Sequence, residues 1–148
     1  MCVGEIVQKI LTIIPNSSHS EESVRAVINR LTSFGYLPIE NDSWELSFAM
    51  LKVENEIKNS CNTTSIPEGL FTVAVDMICG EFLMCRKNSG RLDISTLDLG
   101  GAITSISEGD VSISFDTNST DEQKFNQLVN YLLTKGKGEF ICYRKLSW

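Results

Sequence analysis

The hydrophobic pattern is densest in the middle of the chain, from Pro67 to Asn88. Apolar side chains cover most of the circumference of a helix drawn through this stretch, and such a helix has to be buried nearly all round. Pro67 suits the first helical position, and Gly90 suits a stop beyond the last turn. The pattern therefore predicts a central buried helix. Its narrow polar or small stripe consists of Thr72, Asp76 and Gly80.

Two members of this stripe carry separate expectations. Asp76 is expected to hydrogen-bond to a neighbouring helix or to face an interface, rather than to act in catalysis. Gly80 either lets another helix approach closely or faces open space, and the sequence leaves both open. Replacement by Leu distinguishes them, because overpacking destabilises a close contact, whereas Gly is a poor helix former at an open position.

Two shorter helices are predicted before the central one. Apolar residues at helical spacing indicate a helix that ends before Pro15 and a second that closes at Gly35. Ser18 with Glu21 forms a capping-box pattern for the second helix, and Ser20 is a competing cap. The only histidine of the chain, His19, lies at this helix entrance. We expect it to be solvated or to cap the helix, not to be catalytic.

A third helix follows Asp42, which is expected to cap it with Glu45 in the reciprocal position. This helix has two apolar faces. Either both faces are covered within the same domain, or one face packs on a neighbouring copy. One face comprises Trp44, Phe48 and Leu51, and the opposite face comprises Leu46, Met50, Val53 and Ile57.

From Ala102 the hydrophobic pattern changes its period. Val111, Ile113 and Phe115 alternate with serines, Ile103 to Ser107 precedes them, and Glu108-Gly109-Asp110 supplies turn chemistry, so a β-hairpin is predicted over residues 102–116. A lone hairpin is marginally stable, and its edges have to be covered or paired. A last helix is predicted over 120–134, and a strand-like apolar arm over 138–148. The arm either docks on its own domain or reaches into a partner.

The predicted fold class is therefore mainly α. A bundle of about five helices surrounds the central buried helix, with one late β-hairpin and an extended C-terminal arm. The chain of 148 residues is expected to form a single domain, with the helical bundle over residues 3–90.

Charge and cysteine content narrow the function. A net charge of −6 and a pI near 4.8 argue against a nucleic-acid binder or an anionic-membrane binder, because both need clustered basic residues. Five cysteines occur without a CxxC pair, so we expect reduced cysteines, no metal and no cofactor. No signal peptide or long apolar run is present, which predicts a soluble, unexported protein.

Catalytic constellations are also missing from the sequence pattern. The single histidine lies in a polar loop, Gly100-Gly101 does not open a phosphate-binding helix after a strand, and Asp76 and Glu81 point to different sides of their helix. The sequence favours a non-enzymatic protein with no catalytic residues. A cysteine-dependent enzyme is the alternative, and activity lost on replacing one cysteine would establish it.

The order of the predicted elements resembles that of the small head-tail connector, or head-completion adaptor, proteins of tailed bacteriophages. The resemblance covers roughly residues 20–148. It rests on the order and general character of the predicted elements, because none of its motifs is chemically specific. The segments that carry it are Ile66-Pro67-Glu68-Gly69-Leu70, Met77 to Leu83, Leu97-Asp98-Leu99, Ile103 to Phe115, and Tyr143-Arg144 with Trp148.

The resemblance implies a structural protein that forms a sixfold or twelvefold ring at the neck of the particle. Copies would bind one another, a portal-like protein and the next neck or tail-terminator protein. DNA would only pass through the channel where a head is present, and neither a membrane nor a small molecule would be bound. Related adaptors also occur at the collar of headless, phage-tail-like bacteriocin particles. The expected location is the bacterial cytoplasm during assembly, and then the particle.

Carried over by position, the resemblance assigns contacts between proteins to the hairpin and the arm. The alternative function is a monomeric or dimeric helical regulatory or protein-binding module whose hairpin folds on its own bundle. The residues assigned to the interface are Ile103, Ile106, Val111, Ile113, Phe115, Phe140, Tyr143, Arg144 and Trp148.

Overall fold

A computed structural model of the chain describes residues 3–109 and 120–145. Over these residues the fold is all helical, with short 3₁₀ turns between several helices, so the mainly α class is confirmed. None of the helices in the two described ranges is long and apolar enough to cross a bilayer. The helices are α1 (Val3–Ile13), α2 (Glu21–Ser33), α3 (Ser43–Cys61), α4 (Phe71–Asn88), α5 (Leu99–Gly109), α6 (Asp121–Thr134) and α7 (Phe140–Tyr143).

Helix α4 is the predicted central helix, and it packs against α2, α3 and α6. Its close neighbour α6 reaches it at Gly80. A β-carbon at Gly80 would lie 3.0 Å from Leu133 Cγ and 3.1 Å from Leu132 Cβ. Gly80 therefore permits a close helix approach, which resolves the alternative left by the sequence. Burial is less complete than the pattern predicted, because Cys85 is exposed.

Helices α1 and α2 complete the bundle. Helix α1 packs against α2 and α3, which both also pack against α4. The N-cap of α2 is Ser20, whose hydroxyl accepts a hydrogen bond from the Ser23 amide at 3.3 Å. Ser20, the alternative cap in the sequence pattern, therefore caps α2. Ser18 is unavailable, because its hydroxyl donates to Glu54 instead.

The predicted β-hairpin is wrong in its first half, where Ile103 and Ile106 lie on α5. Asp98 begins this helix, since its carboxylate accepts a hydrogen bond from the Gly101 amide at 3.0 Å. Leu99, Ala102 and Ile106 are buried, and α5 packs against α6. The three buried side chains recur at intervals of three and four residues, which is helical spacing, and together with the capped first turn this favours a helix over a strand. The predicted second strand lies outside the described residues.

The C-terminal arm is also not extended over its described part. A 3₁₀ turn at Lys137–Glu139 leads into α7, which packs against α3. Phe140 is buried, and the Lys145 amide donates to the Cys61 carbonyl at 2.7 Å. The described part of the arm therefore docks on its own chain, because burial of Phe140 and pairing with the free end of α3 favour the helical turn.

Candidate protein-interaction surface

The two apolar faces of α3 have different environments. Leu46, Met50, Val53 and Ile57 are fully buried in the bundle. On the opposite side Trp44 is 55% exposed and Phe48 is 61% exposed. Their rings lie 6.0 Å apart between centroids, which is contact distance for an aromatic pair. Among the described residues, the fold thus leaves this face, here called the α3 outer face, largely uncovered.

Further apolar exposure precedes the α3 outer face in the chain. Leu37 is 72% exposed and Ile39 is 54% exposed, and both lie in the segment leading into α3. An aromatic side chain that is half exposed leaves about 100 Å² of apolar surface in water. The apolar surface of Trp44 and Phe48 together is smaller than a complete interface, which takes about 800 Å² from each partner. The exposed surface of these two side chains is large enough to form the apolar centre of such an interface.

A buried polar network fixes the start of α3. Asp42 was predicted to cap this helix, but its carboxylate accepts hydrogen bonds from the Tyr36 hydroxyl at 2.8 Å and the Ile39 amide at 2.9 Å. Arg86 of α4 lies 3.2 Å from Asp42 and 3.2 Å from Glu45. Burial, together with the bond to Asp42, raises the pKa of Tyr36 well above its usual range. The network connects the start of α3 to the preceding segment and to α4.

His19 was expected to be solvated or to cap α2, but its side chain is buried, and the N-cap of α2 is Ser20. Its Nε2 lies 2.9 Å from the Met50 carbonyl oxygen, to which it donates as the neutral tautomer, and 3.9 Å from Glu54 Oε2. Burial lowers the pKa of His19, which favours that neutral form. Ser17 donates directly to Glu54 at 2.5 Å, so no serine–histidine–acid relay is assembled. This cluster joins the α1–α2 loop to α3.

Glu54 is the acceptor at the centre of that cluster. Burial would raise the pKa of its carboxyl, but hydrogen bonds from Ser17, Ser18 and Lys58 outweigh this effect and lower the pKa to about 2. The carboxylate therefore stays charged, and it binds both the loop and Lys58 of its own helix. It is a structural group, because its hydrogen-bonding capacity is taken up by the protein itself.

The cysteines show no constellation for chemistry in the described part of the chain. Cys61 and Cys79 are buried, whereas Cys85 and Cys142 are exposed, and none of these four is in a disulfide. Burial raises the pKa of both Cys61 and Cys79, which disfavours the reactive thiolate. Residues 3–109 and 120–145 hold no cluster of three side chains that could bind a metal.

A second surface feature is a groove between α2 and α4, here called the Phe71 groove. Two hollows of about 450 and 570 Å³ share Phe71 and Val75. Ala26 of α2 also lines the groove, and Arg30 pairs with Asp76 at 3.0 Å on its rim. Asp76 accepts a hydrogen bond from Arg30 of α2, so the predicted hydrogen bond between Asp76 and a neighbouring helix is confirmed. Nothing in the sequence pattern marked the groove, because it is formed by two helices far apart in the chain.

The residues predicted for the interface do not form one surface. Ile106 and Phe140 are buried in their own chain, and Ile103 is half-buried on α5. Tyr143 is partly exposed and lies directly against Gly69, and Arg144 is exposed. Val111, Ile113, Phe115 and Trp148 lie outside the described residues. The sequence pattern identified the two-faced α3 but did not place it among the interface residues.

Comparison of the chain with protein-family models, curated proteins and solved structures finds no match. No comparison therefore links it to the connector family.

Proposed function

We propose that this chain is a structural adaptor that forms a ring at the neck of a phage or phage-tail-like particle and links its head side to its tail side. The observation that supports a protein-binding role is the α3 outer face, whereas the ring and the particle come from the resemblance of the element order to the connector proteins. Two large aromatic side chains lie in water there on a helix whose other face is fully buried. Exposed aromatic clusters of this kind are typical of protein-binding surfaces.

The energetics favour covering this face. At about 25 cal/mol per Å², removing about 100 Å² of each aromatic from water is worth about 2.5 kcal/mol per side chain. The pair would therefore contribute about 5 kcal/mol before the cost of association is subtracted. Copies of the same chain would supply the cover in a ring, and a portal-like protein and the next neck protein would bind its two ends.

The test is the mass of the purified protein in solution, alone and mixed with portal-like and neck proteins. The wild-type chain is expected to form rings, alone or on such a template. The variant Trp44→Ser/Phe48→Ser is expected to stay folded, because both side chains are largely exposed, and to lose assembly. A wild-type chain that stays monomeric with every such protein would refute the proposal.

The matched control is Ile141→Ser, which removes another exposed apolar side chain. Ile141 lies on α7, which packs near the C-terminal end of α3, roughly 25 Å from Trp44 along the helix. This variant is expected to assemble as the wild type does. Loss of assembly in both variants would mean that general surface hydrophobicity, not the α3 outer face, drives the association.

The second candidate function is a monomeric or dimeric helical protein-binding module. The same two aromatics favour it, because an exposed pair spaced by four residues can receive one apolar face of a partner helix. A chain that binds such a partner but forms no ring would support this alternative.

A further inference from the structure

The α3 outer face and the Phe71 groove lie on different sides of the bundle. Helices α2 and α3 both pack against α1 and against α4, so α2 and α3 occupy diagonally opposite corners. The groove is formed with α2, whereas the outer face of α3 points away from the other helices of the bundle. One copy can therefore offer its aromatic pair to a second copy while its own groove remains free for a third.

The groove has the size and lining to accept aromatic side chains. Its two hollows of about 450 and 570 Å³ fall within the range of pockets that hold small organic molecules. Phe71 and Val75 form a shared floor, and Ala26 leaves space at the α2 wall. Large aromatics that fill such hollows supply most of the binding energy in protein interfaces.

The exposed charges next to the α3 outer face are mainly positive. Lys52 is 63% exposed, whereas its partner Glu81 is 14% exposed. Arg91 is likewise more exposed than Glu45, with which it pairs at 2.6 Å. In both pairs the cation is thus the exposed member. Lys9 and Glu40 form another pair in which both members are partly exposed, so that pair adds no net charge.

The Phe71 groove has the opposite charge at the end where α2 begins. Glu21, Glu22 and Glu68 are exposed on its rim, and Arg25 is the cation paired with Glu21 at 3.0 Å. Glu22 and Glu68 have no ion-pair partner within the described residues. The rim thus complements Lys52 and Arg91, and such complementarity orients two surfaces and speeds their encounter.

We propose that Trp44 and Phe48 of one copy insert into the Phe71 groove of the next copy, with Lys52 and Arg91 facing Glu22 and Glu68. The inference rests on the proposed function and names the contact between its subunits. Because the two surfaces differ, the contact is head-to-tail, and repetition of such a contact closes a ring when its rotation allows.

Complementation between two defective variants tests this contact. Ala26→Arg fills the groove but keeps the α3 outer face, and Trp44→Ser/Phe48→Ser keeps the groove but lacks the aromatics. Each variant alone is expected to weaken self-association by about tenfold or more. An equimolar mixture is expected to form a heterodimer that cannot extend, because only one intact contact remains between the two variants. Sedimentation velocity measures the species, and circular dichroism checks that each variant is folded.

The control is Asn130→Arg, which adds the same charge at an exposed position of α6 and is expected to assemble normally. Charge reversal gives a second test. Glu22→Lys is expected to weaken assembly by about tenfold, and Lys52→Glu in the neighbouring copy is expected to restore part of it.

The outcomes separate this inference from the proposed function. Normal assembly of Ala26→Arg, or a mixture that gives no heterodimer although the wild type assembles, would overturn the contact and leave the ring proposal standing. A wild-type chain that never self-associates would overturn both.

Discussion

Replacing Gly80 by Leu tests the close approach of α6 to the central helix α4. The β-carbon alone would lie 3.0 Å from Leu133 Cγ and 3.1 Å from Leu132 Cβ, which is tighter than ordinary van der Waals contact. The rest of the Leu side chain has to displace α6 from the central helix. Overpacking of this kind costs about 1–3 kcal/mol, and with no space at Gly80 we expect a value near 3. Helix propensity returns about 1 kcal/mol, so the net loss is about 2 kcal/mol.

Urea unfolding followed by circular dichroism measures this loss as a shift of the midpoint at constant slope. The matched control is Gly100→Leu in the first turn of α5, where a β-carbon meets nothing within 4 Å. That variant is expected to be neutral or more stable than the wild type. Equal stability of Gly80→Leu and the wild type would refute the close approach of α6. An equal loss in both variants would show that Leu itself, not the contact, is responsible.

Two further substitutions test the buried side chains that attach the α1–α2 loop and helix α7 to the bundle. Glu54 has a folded pKa of about 2 against 4.5, so its contribution is present above pH 4.5 and lost as the pH falls towards 2. The full pKa shift corresponds to about 3 kcal/mol, and solvent screening reduces this contribution to about 1–2 kcal/mol. Glu54→Gln should therefore flatten the fall in unfolding free energy between pH 4.5 and 2. Equal slopes of unfolding free energy against pH in the variant and the wild type would contradict this role. Phe140→Ala should cost about 3 kcal/mol in thermal unfolding, because the side chain is buried. Unchanged stability with lost assembly would instead make residue 140 part of an arm that binds a partner.

The error at α5 shows where local pattern misleads. Ile103 to Ser107 mixes isoleucines with polar residues and precedes the alternating residues 111–115, which suggested a first strand, but Ala102 and Ile106 also fall on one helical face. Two patterns this short cannot be distinguished by periodicity alone. The Asp98 cap was a signal that could have decided it, because a short acidic side chain before an apolar run is typical of a helix start.

The sequence by itself determined the helices with long, regular patterns and the central place of α4, because helical periodicity marks apolar faces that have to leave water. It also indicated that α3 has two apolar faces. Tertiary structure alone decided that Trp44 and Phe48 remain exposed, that His19 is buried against α3, and that Phe71 forms a groove with α2. The physical reason is that a hydrophobic pattern identifies an apolar face of one helix. Which other element packs against that face depends on residues that are distant in the chain.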